Sequence, residues 1–342
     1  MTAFSEILGQ EKARDFLKHA ILRDKIPHAY LFTGIPGIGK TCAARALAMT
    51  VNCLEPIDGE GCGHCLSCRR FKDGNFPDFF CIKPDGKNIK IDQIRELNRK
   101  LGFAPVLGKY RVYVISRAQT MTIEAANAFL KILEEPPPQN ILILNTTELL
   151  ELLPTIVSRC QRVSFQPLPV KGITDWLVKK KGVDVEKAGI LARLSNGSLG
   201  WALDMYESDF LQRRKEWLSQ LISLPALPKT GAVEMAFKYA DEHKKKGPDD
   251  SGQWQANAMD ILTVWQSWYR DLLLLKAGAG DHLIINFDFI SKLKKMTEGI
   301  KNKGLINSIL LIDQSQQELH RMRNVPLLME NTVLQLQRLN HG

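Results

Sequence analysis

The sequence contains no uninterrupted apolar run near the ~20 residues that a membrane-spanning helix needs. Its first residues, MTAFSEILGQEKARDF, also lack the basic-then-apolar layout of a secretory signal peptide. Neither an internal repeat of fixed period nor a low-complexity tract is present. We therefore expect a cytoplasmic protein that has no membrane partner.

A disulfide framework is equally unsupported, because the seven cysteines form an odd number and the cytosol keeps thiols reduced. Four of them lie within residues 53–68, and this clustering points to metal binding rather than to oxidation. Cys42, Cys81 and Cys160 stand apart, and we expect each of them to be a small buried apolar residue.

The composition is that of an ordinary soluble globular protein, with 44% hydrophobic and 24% charged residues in a chain of 342. This length favours two or three domains. The formal net charge of +9 is compatible with an anionic partner, but charge alone is weak evidence because it governs association rather than fold.

Short β-branched or aromatic runs alternate with amphipathic stretches in the first half of the chain. This alternation predicts an α/β fold, in which a parallel sheet is covered by helices on both faces. Thr122 suits the start of the third predicted helix. The predicted strands are the runs at 29–34, 78–83, 111–116, 140–147 and 161–166, and the predicted helices are those at 41–52, 91–102 and 122–135.

Strand signals fade after residue 167, and the remaining sequence is almost wholly helical apart from a polar interruption at 243–252. We predict three domains from this change of pattern. They are an α/β nucleotide-binding domain over 1–168 with an inserted cysteine module at 52–70, a small helical lid over 169–207, and an all-α domain over 208–342.

A phosphate-binding loop follows the first predicted strand. The motif G-x-x-x-x-G-K-[ST] is matched by GIPGIGKT, with a strand before it and a helix after it. Glycines let backbone N–H groups turn onto phosphate oxygens, the lysine meets the β- and γ-phosphates, and the threonine ligates Mg²⁺. The predicted binding residues for ATP or ADP with Mg²⁺ are Gly34, Gly37, Gly39, Lys40 and Thr41.

The acidic residues that hydrolysis needs are missing from the expected place. Phosphoryl transfer requires a group at a neighbouring strand end that holds Mg²⁺ and orients the attacking water. Here the strand at 111–115 is followed by Ser116 and Arg117. Serine is a poor substitute for aspartate, and a guanidinium group cannot act as a base. We therefore expect a nucleotide pocket that does not hydrolyse ATP by itself.

The clustered cysteines have the spacing C-x8-C-x2-C-x2-C. Four thiolates close a tetrahedral shell and leave no open position, so the predicted zinc site is structural rather than catalytic. An iron–sulfur cluster is the alternative, although the ferredoxin-type cysteine followed by proline is absent. His64 is a spare candidate ligand. The predicted metal ligands are Cys53, Cys62, Cys65 and Cys68.

Four segments together resemble the AAA+ clamp-loader ATPase family of DNA replication: HAYLFTGIPGIGKT, the cysteine cluster, AANAFLKILEEPP and TIVSRC. The resemblance is strongest over residues 1–168 and implies an AAA+ domain, a helical lid and a helical collar that joins subunits. Within the family the chain is similar to the delta-prime type of bacterial DNA polymerase III. The motor type has Asp-Glu where this chain has Ser116-Arg117, and a lid arginine where it has Gly200.

The resemblance also implies roles and partners. Delta-prime subunits are stators that assemble with motor (gamma/tau) and delta subunits, and the complex loads the sliding clamp on primed DNA. Arg159 of the SRC triplet would enter a neighbouring ATP site as an arginine finger, whereas a surface ion pair is the simpler role without the resemblance. Thr146 or Thr147 lies where the family has its γ-phosphate sensor, with helix capping as the alternative.

Positive charge concentrates around the predicted helix at 91–102 and could meet DNA phosphates. A solvated helix face is the simpler interpretation for any one of these residues, and the run at 244–246 is interpreted as a solvated linker. The basic residues are Lys87, Lys90, Arg95, Arg99, Lys100, Lys109 and Arg111.

Three hypotheses follow for the function. The first is a non-motor clamp-loader subunit that lends Arg159 to a neighbour and holds nucleotide passively. The second is a working ATPase motor whose acidic residue comes from elsewhere, such as Glu134 or Glu135. The third is a zinc-containing DNA-binding adaptor unrelated to clamp loading, which leaves the SRC triplet and the lid unexplained.

Overall fold

The computed structural model describes residues 3–147, 149–228, 230–235, 251–321 and 324–340. The chain divides into two compact units, of which the first comprises Met1–Gly182 with Ser195–Leu203 and the second comprises Val183–Leu194 with Asp204–Gly342. The three-domain division drawn from the sequence remains a prediction. The lysine run at 244–246, interpreted as a linker, lies outside the described residues.

Five parallel strands form the sheet of the first unit, in the order β2-β3-β4-β1-β5. All five predicted strands are confirmed, each one or two residues shorter than its run, since the flanking turn residues leave the ladder. The three central strands, β1, β3 and β4, are buried at every position. The strands are β1 (Ala29–Thr33), β2 (Phe79–Ile82), β3 (Arg111–Ile115), β4 (Asn140–Thr146) and β5 (Gln161–Ser164).

Helices cover both faces of this sheet, because successive side chains of a buried strand point to opposite faces. Phe32 of β1 belongs to the apolar cluster that contains Leu47, whereas Leu31 belongs to the cluster that contains Phe129. The predicted α/β fold is therefore confirmed. The helices of this unit are α1 (Glu11–Leu22), α2 (Lys40–Val51), α3 (Leu66–Lys72), α4 (Ile91–Leu101), α5 (Ile123–Glu134), α6 (Pro154–Val157) and α7 (Val170–Lys181).

The predicted helix start at Thr122 is confirmed. Its hydroxyl accepts a hydrogen bond from the backbone N–H of Ala125 at 3.2 Å, as an N-cap side chain does. Glu124 in the first turn of α5 adds a negative charge where the helix dipole favours it.

The second unit is helical, as its sequence pattern predicts. The long helix α11 carries fully buried Trp265 and Trp268, and it packs against α13. Helix α9 begins in the first unit and ends in the second. The remaining helices are α8 (Val185–Leu194), α9 (Leu199–Glu207), α10 (Phe210–Ser223), α11 (Ser251–Lys276), α12 (Ile290–Thr297), α13 (Asn302–Arg321) and α14 (Val325–Asn340).

A buried ion pair lies in the core of the second unit. The guanidinium of fully buried Arg214 donates two hydrogen bonds to Asp288, at 2.8 and 2.9 Å, and one to the Asn286 side chain at 2.7 Å. A buried charge is tolerated only when it is paired and hydrogen-bonded in this way.

Among the described helices of the chain, none is long and apolar enough to cross a membrane.

Candidate functional site

The phosphate-binding loop joins β1 to α2, as the motif predicts. Gly34, Gly37 and Gly39 have φ angles of 145°, 70° and 109°, a region of backbone space that glycine enters without strain. The loop leads directly into α2, whose amino terminus favours an anion through its unpaired N–H groups and dipole. The local backbone therefore has the form that a phosphate group requires.

Lys40 occupies the first position of α2 and is 8% exposed. Its ammonium donates hydrogen bonds to the carbonyl oxygens of Gly34 and Ile35, the second at 2.9 Å. Burial lowers the pKa of Lys40 to about 8, so the side chain is still mostly protonated at pH 7. Both carbonyls are neutral, whereas a bound phosphate would supply the opposite charge that stabilises a buried ammonium.

Thr41, the predicted Mg²⁺ ligand, contacts a residue that sequence reasoning missed. The Nδ2–H of Asn145 donates a hydrogen bond to Thr41 Oγ1 at 3.2 Å. Asn145 lies on β4 and is 4% exposed. The available signal was an amide directly after the apolar run ILIL (141–144) of a predicted buried strand, where a polar side chain needs a reason.

The end of β3 carries Ser116 and Arg117 in place of the acidic residues that hydrolysis needs. The Ser116 N–H donates to the carbonyl of Ile82 at 2.9 Å, and its hydroxyl lies 3.4 Å from the Cys81 thiol. Arg117 has a left-handed backbone with φ of 53°. Neither Ser116 nor Arg117 offers a carboxylate to a metal ion.

Thr146 and Thr147 both contact Gln119, which follows β3. The Thr146 hydroxyl donates to Gln119 Oε1 at 3.1 Å, and Gln119 Nε2 donates to Thr147 Oγ1 at 2.7 Å. The next helix, α6, has Leu153 at its N-cap, so the helix-capping alternative for the two threonines is wrong. They instead tie the end of β4 to the turn after β3.

The segment 195–203 of the first unit lies directly on the phosphate loop. The Ser198 hydroxyl donates to the Pro36 carbonyl at 2.8 Å, and the Gly200 N–H donates to the Gly37 carbonyl at 2.9 Å. A Cβ atom added to Gly200 would come within 2.7 Å of the Gly37 Cα. Position 200 is therefore a close backbone approach, and an arginine side chain there would require the two segments to separate.

Arg159 lies at the surface, after α6. Its Nη2 donates to Glu134 Oε1 at 2.8 Å, and its Nη1 donates to the Thr155 carbonyl at 3.1 Å. The two side chains of the ion pair are 37% and 50% exposed. Within the chain Arg159 thus forms a surface ion pair, and its action in a neighbouring subunit stays a prediction.

The four clustered cysteines come together between α2 and α3, with all four sulfur atoms within 4.8 Å of one another. The Sγ–Sγ distances include 3.6 Å for Cys53–Cys68, 3.9 Å for Cys53–Cys65 and 4.0 Å for Cys62–Cys68. A tetrahedral ion with metal–sulfur bonds of about 2.3 Å needs edges of about 3.8 Å. The cluster could therefore hold a metal ion.

Burial and backbone hydrogen bonds shift the pKa values of these thiols in opposite directions. Burial raises the pKa of Cys53 and that of Cys68. Hydrogen bonds from backbone N–H groups lower the pKa of Cys62. At Cys65, burial acts in the opposite sense, but N–H and thiol hydrogen bonds outweigh it and lower the pKa to about 6. Two of the four sulfurs thus favour the thiolate form that metals bind.

Among the described residues, His64 and the other three cysteines do not belong to the four-sulfur cluster. His64 is exposed, and its Nδ1 lies 3.1 Å from the carbonyl of Cys62. Cys42 and Cys160 are partly buried, and burial raises the pKa of Cys160 to about 12. The expectation of a buried Cys81 is wrong, because Cys81 is exposed on β2, the edge strand of the sheet.

Most of the predicted basic stripe is engaged within the chain. Arg111 is buried, lies 3.5 Å from the carboxylate of buried Asp78 and donates to three backbone carbonyls, so it belongs to the core. Lys87 and Arg99 are exposed. The other stripe residues form ion pairs: Lys90 with Asp85 (2.6 Å), Arg95 with Asp92 (3.1 Å), Lys100 with Glu96 (2.7 Å) and Lys109 with Asp24 (3.6 Å).

Comparison with known sequences finds similar proteins along nearly the whole chain. The model of the family described as "DNA polymerase III, delta subunit" matches residues 9–169. DNA polymerase III subunit delta' of Bacillus subtilis (strain 168) is 33% identical over 329 residues, which cover 96% of this chain and 96% of that protein. DNA polymerase III subunit tau of the same strain is 30% identical over 358 residues, which cover 99% of this chain and 62% of tau.

A solved structure agrees with the fold. The DNA polymerase III gamma subunit-related protein from Thermotoga maritima superposes with a TM-score of 0.51 and 21% sequence identity. The match covers 95% of this chain and 99% of that chain. At this identity the likeness supports the fold alone.

Proposed function

The chain belongs to the family of DNA polymerase III subunit delta', and from this premise we propose that it is a non-motor (stator) subunit of a clamp loader. In this role it assembles with motor (tau/gamma) and delta subunits, and the complex loads the sliding clamp on primed DNA in the cytoplasm. The third hypothesis, an adaptor unrelated to clamp loading, is contradicted by the family membership.

One observation carries the non-motor role: a complete phosphate loop stands beside a β3 end that offers no carboxylate. Gly39, Lys40 and Thr41 have the geometry of a phosphate site, whereas Ser116 and Arg117 offer no carboxylate to hold Mg²⁺ or to orient the attacking water. A pocket with this composition binds nucleotide without turning it over. The close approach at Gly200 supports the same conclusion, because the position of the motor's lid arginine is filled by backbone contact.

We further propose that Arg159 acts as an arginine finger in the ATP site of a neighbouring subunit. Phosphoryl transfer spreads negative charge over the transferred group, and a planar, permanently charged guanidinium stabilises that charge. Arg159 is surface-exposed, and its contacts with Glu134 and the Thr155 carbonyl favour one orientation of the guanidinium in the separate chain. Side chains oriented in advance lose less conformational entropy on binding.

The pocket fits ATP or ADP with Mg²⁺. The buried Lys40 ammonium provides the positive charge and the Thr41 hydroxyl the metal ligand, while the glycine loop provides the space for phosphate oxygens. The nucleotide, once bound, would serve as a structural group that ties the loop to α2.

We assign zinc to the cysteine cluster. Three of its six Sγ–Sγ distances, at 3.6–4.0 Å, match the edges of a tetrahedral zinc–thiolate site, and four sulfur ligands leave no position open. An iron–sulfur cluster is the competing occupant and would be revealed by its metal content.

Primed DNA is a further proposed partner, which the protein would contact through the DNA backbone. Lys87 and Arg99 are exposed on the first unit and are available for such contacts.

ATP turnover by the purified chain tests the non-motor role. We expect nucleotide binding with turnover well below about one per second, the lower end of ordinary enzymes, because the end of β3 offers no carboxylate. The Lys40→Ala variant, measured in parallel, shows how much of any signal comes from contaminating ATPases. Turnover above that level that disappears with Lys40→Ala would establish the motor alternative instead.

A further inference from the structure

Asn145 is a buried amide with one polar atom in use and the other unpaired. Its Nδ2–H donates to Thr41 Oγ1 at 3.2 Å, whereas its buried Oδ1 has no hydrogen-bond partner among the residues that the structure describes. Buried polar atoms nearly always have partners, so an unpaired one in a nucleotide pocket requires an explanation.

Packing does not explain why an asparagine stands here. Position 145 lies on a strand whose seven residues are all buried, and Ile141 and Ile143 of that strand belong to the apolar cluster that contains α2. Because strand residues alternate between faces, Asn145 shares the face of these two isoleucines. An apolar side chain at position 145 would continue this face and leave no oxygen unpaired.

We propose that Asn145 is a positioning residue that orients the Thr41 hydroxyl toward the Mg²⁺ of a bound nucleotide. This inference rests on the proposed passive binding of nucleotide. A neutral amide on β4 thus makes the contact with Thr41, in a chain whose β3 end provides no carboxylate.

The chemistry of the hydroxyl requires such a partner. When Thr41 Oγ1 gives a lone pair to Mg²⁺, its O–H points away from the metal and needs an acceptor. A half-turn of the Asn145 amide places Oδ1 where Nδ2 now stands, so that the oxygen accepts this O–H. The half-turn exchanges the Nδ2–Thr41 hydrogen bond for an Oδ1–Thr41 one and moves Nδ2 to the position that Oδ1 leaves. Since Oδ1 has no partner among the residues that the structure describes, that oxygen loses no hydrogen bond.

The neutrality of the amide suits a pocket that does not hydrolyse. An amide oxygen accepts a hydrogen bond but is not basic enough to take a proton from water, so it can help hold Mg²⁺–nucleotide without activating the attacking water. An aspartate at position 145 would also accept the Thr41 hydrogen, and it would add the charge that the pocket lacks.

The test is the affinity of the purified chain for ATP, measured by titration calorimetry in Mg²⁺ and again in EDTA. We expect Asn145→Leu to weaken binding about tenfold in Mg²⁺, equivalent to about 1.4 kcal/mol, and to leave the affinity in EDTA within about twofold. Asn145→Asp is expected to keep the Mg²⁺ effect or increase it. Thr33→Val, which removes another buried hydroxyl from the neighbouring strand β1, should leave the ratio of the two affinities unchanged.

The outcomes distinguish a failure of the role proposed for Asn145 from a failure of passive nucleotide binding. An equal loss of affinity in both buffers would show that Asn145 only shapes the pocket, and an unchanged affinity in both would show that it does not act on Thr41. Either result overturns the inference while nucleotide binding stands. If the unaltered chain binds no ATP in either buffer, passive nucleotide binding and this inference both fail, whereas the role of Arg159 is untouched. The melting temperature without nucleotide checks that Asn145→Leu folds.

Discussion

Replacing Arg159 by alanine is expected to slow ATP hydrolysis in the neighbouring site that it enters by about a thousandfold, the lower end of the range for arginine fingers. The residue contributes charge at the transition state rather than to the fold of its own chain, where it forms a surface ion pair and one hydrogen bond to the Thr155 carbonyl. In a complex with several ATP sites, the other sites continue to work. The effect is therefore best seen as the loss of one ATP per complex from the pre-steady-state burst.

The control for this variant is Arg162→Ala, which removes an exposed arginine from β5, three residues further along the chain. It should leave the burst and the subunit composition unchanged. Arg159→Lys keeps the charge but loses the planar group, so partial activity is expected. If Arg159→Ala assembles normally and retains the full burst, Arg159 is not a finger.

Cys65→Ser is expected to abolish metal binding and to destabilise the cysteine module by several kcal/mol. Structural metal sites contribute their binding energy to folding, and three remaining thiolates do not close the shell. The module has little apolar burial to compensate, since Leu54, Ile57 and Leu66 are more than half exposed. Metal content by atomic emission should fall from one zinc per chain to almost none, and the region should become sensitive to limited proteolysis.

Cys81→Ser provides the matched control, because Cys81 is an exposed cysteine of the same unit and lies outside the cluster. It should retain zinc and protease resistance. Iron and sulfide in the unaltered protein would contradict the assignment of zinc. A full zinc content in Cys65→Ser would show that this residue is not a ligand.

The sheet could be predicted from sequence because β1 to β4 are compact, mostly apolar runs, and β5 is a short run around buried Val163. The order of the strands and the contact of segment 195–203 with the phosphate loop could not, since both join residues far apart in the chain. Asn145 was missed for the same reason: its partner Thr41 is about a hundred residues away.

Charge was the least predictable property of the surface. A stripe of basic residues is visible in the sequence. The acidic residues that pair with Lys90, Arg95 and Lys100 lie on or beside the same helix and offset much of its positive charge.

The expectation that Cys81 is buried was wrong for a related reason. Residue type predicts burial on average, whereas the position of β2 at the edge of the sheet decides it here.

We propose that this chain serves a neighbouring ATP site and does not hydrolyse ATP in its own pocket. The most direct measurement is the pre-steady-state ATP burst of the reconstituted complex that carries Lys40→Ala in this chain alone. We expect the same burst amplitude as in the unaltered complex, because the pocket that loses Lys40 does not hydrolyse ATP. A burst that is smaller by one ATP per complex, with subunit composition unchanged, would contradict it.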